Sequence, residues 1–344
     1  PYLRQLDAVL RFDMSYSGYT VPVSADTRAA FTFSGIVKAK KLTLSIMQGN
    51  QSKQYKDIPL SGSLDIDRRQ IHKMSDLIVK NLFGRDGVAS SKMLFAIQAQ
   101  QDNNWVSEIW QSDWDGGNLT QITKEKSYCV SPVFIPAKAG RISNRFIYVS
   151  YKLGQPKIYL ASTDEGKGRR IVDLKGNQLL PTVSPNRNKI AFICDAAGRT
   201  DLFIQSINAE QGEMGKPVQL FSYPRSTQAS PTFSPDGSQI AFVSDKDGSP
   251  RIYVIPTQVK KQRADATLIT KKNSESSCPS WSPDGTKLAY SAKTKGIRQI
   301  WIYDFNAGEE RQLTDGPGNK ENPCWASDSM HMVFNSTDAS SSEI

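Results

Sequence analysis

The chain has 344 residues, 38% of them hydrophobic and 22% charged, enough to bury one large core or two unequal ones, which excludes a disordered chain. No apolar run reaches the roughly 18 residues that span a bilayer, and only two histidines occur, His72 and His331, so chemistry built on His pairs or His-rich metal cages is poorly supplied. Lys and Arg exceed Asp and Glu by 43 to 34, a net +9, but the excess is dispersed over Lys38, Lys40 and Lys41, Arg169 and Arg170, Lys260 and Lys261, and Lys271 and Lys272. Few aromatics interleave with them, so they read as a solvated basic surface and not as a nucleic-acid groove.

Residues 1–88 read as a small two-layer α/β domain. Leu3, Leu6, Leu10 and Met14 share one helical face, and Gly18 follows as a stop. Phe31–Phe33, Leu42–Ile46 and Lys53–Tyr55 alternate as sheet strands, the last two linked by Gly49-Asn50. A second helix is expected over Asp67–Phe83, with Ile71, Met74, Leu77, Ile78 and Leu82 as its buried stripe and Gly84 as terminator. His72 lies beside that stripe, which points to packing or a surface position and not to catalysis.

From residue 89 to 344 the chain repeats. Ser230-Pro231-Thr232-Phe233-Ser234-Pro235-Asp236-Gly237 aligns with Cys278-Pro279-Ser280-Trp281-Ser282-Pro283-Asp284-Gly285 and with Leu180-Pro181-Thr182-Val183-Ser184-Pro185-Asn186. Weaker copies begin at Ser131-Pro132 and Asn322-Pro323. The leading prolines 132, 181, 231, 279 and 323 are 49, 50, 48 and 44 residues apart, the length of a propeller blade. Each copy predicts four short strands. The first holds the proline and, two residues on, Phe134, Val183, Phe233, Trp281 or Trp325, and an Asp-Gly turn follows. The second, as in Ile190–Ile193, Ile240–Val243 and Leu288–Tyr290, is apolar on both faces and needs cover from neighbouring blades. The third opens with Ile158-Tyr159, Leu202-Phe203, Ile252-Tyr253 or Ile300-Trp301. The fourth ends at Thr123, Val172, Phe221, Thr270 or Thr314, nine or ten residues before the next proline. The expected fold is therefore mainly β, a six-bladed β-propeller preceded by the α/β domain.

The ends of the array are uneven. The first repeat has strands at Met93–Ala96, Ile109-Trp110 and Gln121–Thr123 but no proline strand, and Ile344 falls where the third strand of the sixth repeat should begin. By comparison with blade length, about 30 further residues are expected in the natural protein, finishing the sixth blade and returning a proline strand to the first. Closure of that kind protects sheet edges. Pro1 is not preceded by a leader, so a signal peptide has been removed or was not included.

The four cysteines, Cys129, Cys194, Cys278 and Cys324, lack C-x-x-C spacing and nearby His ligands, so no zinc site is expected. Cys278 and Cys324 flank prolines of neighbouring blades with like parity; a disulfide there would be strained, and free buried thiols are the alternative. Asp236, Asp284 and Asp328 follow the first strands and read as turn formers. Neither a cofactor nor a metal is expected; the one cation the array leaves room for is calcium in the central channel, on backbone oxygens.

On these repeats, the small front domain, the helix end Leu10-Arg11-Phe12-Asp13 to Ser17-Gly18, and Tyr223-Pro224-Arg225 just before Pro231, the chain resembles the TolB family, soluble periplasmic components of the Tol-Pal system of Gram-negative cell envelopes. The resemblance covers nearly the whole length. It implies a non-enzymatic periplasmic adaptor supporting outer-membrane integrity, cell division and protein transport. One propeller mouth would hold Pal, the peptidoglycan-associated lipoprotein, and a segment before the first helix would reach TolA. By position Arg225, Ser226, Thr227, Gln228 and Ser230 match the Pal-touching loop, Ser276, Ser277 and Cys278 match the next blade's equivalent, and Glu321 and Asn322 the one after. The family loop usually carries His after the Arg, where Ser226 stands here with one extra residue before Pro231, so contacts should differ in detail. Charges in these spacers balance, as Arg225, Lys320 and Glu321 show, which favours polar and shape complementarity over steering.

The rival reading is the propeller module of a serine-peptidase or lactonase-like hydrolase. The first needs an α/β-hydrolase domain with a Gly-x-Ser-x-Gly elbow, for which the chain has neither motif nor length. The second needs carboxylates or histidines converging on the channel, whereas the repeat carboxylates fall in hairpin turns at the far rim.

Overall fold

The computed structural model describes residues 2–24, 27–101, 103–137, 143–208, 213–258, 265–273, 275–338 and 341–344; Lys260 and Lys261 lie outside them. Its packing divides the chain into two units, Pro1–Met93 with Ser112–Leu119, and Leu94–Gln111 with Thr120–Ile344. The boundary expected at 88/89 thus moves to 93/94, and residues 112–119 leave the array. The reason is chemical: Trp114 donates to Asp13 (2.8 Å), and Asp115 pairs with Arg68.

In the first unit, helix α1 (Tyr2–Ser15) and helix α2 (Leu64–Phe83) enclose the antiparallel strands β1 (Thr32–Lys38), β2 (Lys41–Gln48) and β3 (Gln51–Pro59) in chain order, with sheet order β1-β2-β3. Alternation buries Leu42, Leu44 and Ile46 of β2 in one cluster with α1 and α2. Before α2 the amides of Ser61 and Gly62 donate to Asp67 (2.8 and 2.9 Å), fixing the chain that leads into the helix. The Tyr2 hydroxyl donates to the same carboxylate at 2.5 Å. Gly84 ends α2 in the left-handed conformation, φ 69°, its amide donating to the Lys80 carbonyl.

Both helical stripes differ from expectation. Leu3 (53% exposed) and Leu77 (49%) face outward. The buried face of α1 is Leu6, Val9, Asp13 and Met14, and that of α2 adds Asp67, His72, Ser75 and Val79 to Ile71, Met74 and Ile78. A stripe chosen by hydrophobicity alone passes over Asp13, Asp67, His72 and Ser75, which are buried because they bond one another or the chain before the helix.

The array is six antiparallel meanders among the described residues, each one blade, and only the strand ends Lys92-Met93 and Ser112-Asp113 of blade 1 fall in the first unit. Blade 1 has Lys92–Gln101, Asn104–Asp113 and Thr120–Gln121; blade 2 has Cys129–Phe134, Arg145–Ser150, Lys157–Ser162 and Arg169–Arg170. Blade 3 has Gln178–Val183, Lys189–Cys194, Asp201–Asn208, Glu213–Met214 and Val218–Phe221, and blade 4 has Gln228–Phe233, Gln239–Ser244, Arg251–Pro256 and Thr267–Leu268. Blade 5 has Ser276–Trp281, Lys287–Thr294, Ile297–Asp304 and Glu309–Gln312, and blade 6 has Asn319–Trp325, Met332–Thr337 and Ser342–Glu343.

The second strand of each blade explains the assembly. In blade 4, Ile240 and Phe242 pack with Ala191, Ile193, Leu202 and Ile204 of blade 3. The intervening Ala241 and Val243 pack with Leu288 and Tyr290 of blade 5. In blade 3, Ile190 and Phe192 likewise turn to Ile147 and Val149 of blade 2. Period-2 alternation therefore feeds a different interblade layer with each face, which is why these runs are apolar throughout.

Every leading proline is preceded by a non-glycine residue in the left-handed region: Ser131, Leu180, Ser230, Cys278 and Asn322, with φ between 46 and 53°. A bulge breaks the register at each of these points. It separates Cys278 from Cys324 in parity, and all four cysteines are free thiols.

The repeat aspartates are turn formers. Asp236 accepts from the hydroxyls of Ser234 (2.5 Å) and Ser238 (2.6 Å) and from the Ser238 amide (3.0 Å), and these bonds hold its carboxyl down at about 2. Their contribution is present above the ordinary carboxylate pKa, roughly 4, and is lost as pH falls through about 2. Asp236→Asn should flatten the acid-unfolding curve within that window, as read by circular dichroism; an unchanged curve would show that the turn does not hold the charge.

Candidate partner-binding mouth of the propeller

In a meander blade the spacer from a fourth strand to the next proline strand emerges at the same end as the hairpin joining strands two and three. Three repeated contacts pin the spacers there. At their start, the hydroxyl oxygens of Thr123, Thr270 and Thr314 accept the amides of Ile109, Ile252 and Ile300 at 2.8, 3.0 and 2.9 Å. Three residues before the proline, the amides of Gln178, Gln228 and Ser276 donate to Pro156, Thr200 and Pro250 in the preceding blade's hairpin, at 3.0, 3.1 and 2.9 Å. Between these points, Asp195 accepts the backbone and side-chain amides of Asn177 (2.6 and 2.8 Å), and Asp245 accepts the amide and hydroxyl of Thr227 (2.7 and 2.8 Å). Charge-assisted bonds of this kind are among the stronger ones.

The expected contact residues divide accordingly. Arg225, Thr227 and Asn322 are exposed, Arg225 on a left-handed turn with φ 56°. Ser230, Ser277, Cys278 and Glu321 are half-buried along the rim. Ser226, Gln228 and Ser276 are buried and cannot present their side chains to a partner: Ser226 donates to the Tyr223 carbonyl (3.2 Å), and Gln228 donates to Ser226 (3.2 Å). The polar character that marked these three as contacts is used inside the loop. The Glu321 carboxylate lies 3.2 Å from the Arg298 guanidinium, which also donates to Ser277 at 3.0 Å.

The profile described as the TolB beta propeller domain matches residues 79–265 and 258–344. A protein TolB homolog of Protochlamydia amoebophila (strain UWE25) is 48% identical, over 93% of this chain and 75% of its own. The chain belongs to the TolB family. A TolB homolog of Chlamydia abortus is 38% identical over the same shares of both chains. The crystal structure of TolB from Acinetobacter baumannii superposes with a TM-score of 0.79 at 19% identity, covering 97% of this chain and 85% of that one, a likeness of fold.

For a TolB-family mouth, one feature escapes a reading by motif. Arg298, at the start of the third strand of blade 5, joins the first strands of blades 5 and 6 through Ser277 and Glu321, and nothing in its local sequence marks it. Asp195 and Asp245, which the sequence reading did not single out, each stand fourteen residues after the blade's proline.

No hydrolytic relay arises among the described histidines. His72 and Ser75 both bond Asp13 (2.9 and 2.6 Å), so the serine is joined to the acid and not to the imidazole. His331 pairs with Asp328 at 2.6 Å in the blade 6 turn. Among the described residues, no helix is long and apolar enough to cross a membrane.

Proposed function

We propose that this TolB-family chain is a non-enzymatic adaptor of the Tol-Pal system, acting in the periplasm, whose propeller mouth holds Pal in support of envelope integrity and division. TolA is the expected partner of a segment N-terminal to α1. The observation that carries the reading is likeness to TolB homologs over 93% of the chain, front domain included. The mouth supports it physically. Exposed Arg225 and Thr227 stand on a spacer whose far end is held by Thr200 and Asp245, which limits the loop entropy to be lost on docking.

Calorimetry with purified Pal tests this. Arg225→Ala should weaken binding by about tenfold, the scale of an interface arginine, with the melting temperature unchanged. Asp245→Ala should weaken binding and also lower stability, by about 0.5–1.5 kcal/mol, because the exposed Thr227 amide exchanges its carboxylate acceptor for water. Unchanged affinity in both variants would remove this loop from the interface.

A further inference from the structure

The first unit buries a charged cluster that packing alone does not require. It contains Asp13 of α1, Arg68 and His72 one turn apart on α2, Lys92, and Asp113 and Asp115 of the segment 112–119. That segment is a tight turn: the Asp113 amide donates to the Gly117 carbonyl (2.8 Å), and Gly116 takes φ 80°. The turn aims two carboxylates, spaced i and i+2 as in cation-binding loops, at one imidazole. The Nε2 of His72 lies 3.9 Å from Asp113 Oδ2 and 3.7 Å from Asp115 Oδ2.

Those separations are too long for hydrogen bonds. A tetrahedral ion bound at about 2.0–2.2 Å holds its ligands about 3.3–3.6 Å apart, so these atoms need to close by only a few tenths of an ångström around one shared ion. His72 is 2% exposed, and its Nε2 has no hydrogen-bond partner. Its Nδ1 faces Asp13 at 2.9 Å, which fixes the tautomer whose free lone pair is on Nε2, the carboxylate–histidine arrangement found behind metal ligands. Three carboxylates, Asp13, Asp113 and Asp115, surround the imidazole, with Arg68 and Lys92 as their other charged neighbours.

We propose that His72, Asp113 and Asp115 form a binding site for a divalent transition-metal cation of the zinc type, with Asp13 as the residue that orients His72. Lys92 bonds the outer oxygen of Asp113, the Asn118 amide donates to Oδ2 of the same carboxylate at 2.6 Å, and Arg68 donates to Oδ2 of Asp115, so each ligand oxygen is already shared with a donor. These neighbours position the carboxylates and moderate the affinity by sharing their charge.

The test is a zinc titration of the full chain at neutral pH, followed by long-range proton–nitrogen correlation of the imidazoles. With only two histidines the spectrum is readable, and His331, bonded to Asp328, is an internal control. One imidazole, assigned with His72→Gln, should shift at Nε2 to a metal-bound position and saturate at one equivalent, with Nδ1 still protonated. Asp113→Asn and Asp115→Asn should each weaken zinc by about tenfold or more. A His72 signal that ignores zinc and moves only when acid adds a proton would overturn the proposal, as would affinity that survives both substitutions together. The wild-type titration decides the matter even if a variant does not fold.

Discussion

Replacing Phe242 with alanine should lower the unfolding free energy by about 3–5 kcal/mol, the cost of deleting a fully buried aromatic ring. The ring is 0% exposed and lies in the layer between blades 3 and 4, with its centroid 5.0 Å from that of Phe221 and 6.2 Å from that of Tyr253. The cavity has little room to relax, because the strands that line it belong to blades whose other faces are packed on further neighbours. Tyr253→Phe is the contrasting variant: it keeps the ring and loses one hydrogen bond, from the hydroxyl to Asp247 at 2.6 Å, worth about 1.5–3 kcal/mol for a charged acceptor. Urea unfolding of both reads the comparison. A Phe242→Ala loss under about 1 kcal/mol would mean that the interblade layer does not hold the array together.

Asp13→Ala should cost a similar amount, about 3–5 kcal/mol, for a different reason. The carboxylate is 1% exposed and accepts from Trp114, Ser75 and His72. Its removal strands the buried His72 and Ser75 and the half-buried Trp114 indole. Asp7→Ala on the same helix is the measure of what exposure does. Asp7 pairs with Arg11 at 2.7 Å, but both side chains are more than half exposed, and such pairs contribute about 0–1 kcal/mol. Equal losses in the two variants, measured by urea unfolding, would show that the cluster around Asp13 is screened by solvent.

The propeller was legible in the sequence because its physics repeats. A proline-led strand, an Asp-Gly turn and a two-sided apolar strand recur at nearly constant spacing, so each copy supports the others. The first unit occurs once, and there the pattern misled: Leu3 and Leu77 were assigned to the core because hydrophobic periodicity cannot see that Asp13 and His72 satisfy each other across 59 positions of chain. The same blindness hid the carboxylate pair at 113 and 115, which sits between two strands of the array yet folds with the front unit. At the mouth, Arg225 and Thr227 were legible as exposed loop residues, whereas Ser226, Gln228 and Ser276 were not separable from them, since a hydroxyl or amide that closes a loop has the composition of one that greets a partner. Arg298 was invisible for the opposite reason: its partners, Ser277 and Glu321, lie on the first strands of two different blades.

The central claim, that the mouth grips another protein, is most directly tested by hydrogen–deuterium exchange of the chain with and without Pal. Slowed exchange should fall on residues 223–230, 275–278 and 319–322 and on the hairpins at 195–198 and 245–248. The Asp-Gly turns at 236–237 and 284–285, at the other end of the blades, should exchange as before. Protection confined to those turns, or none anywhere at saturating Pal, would contradict the account.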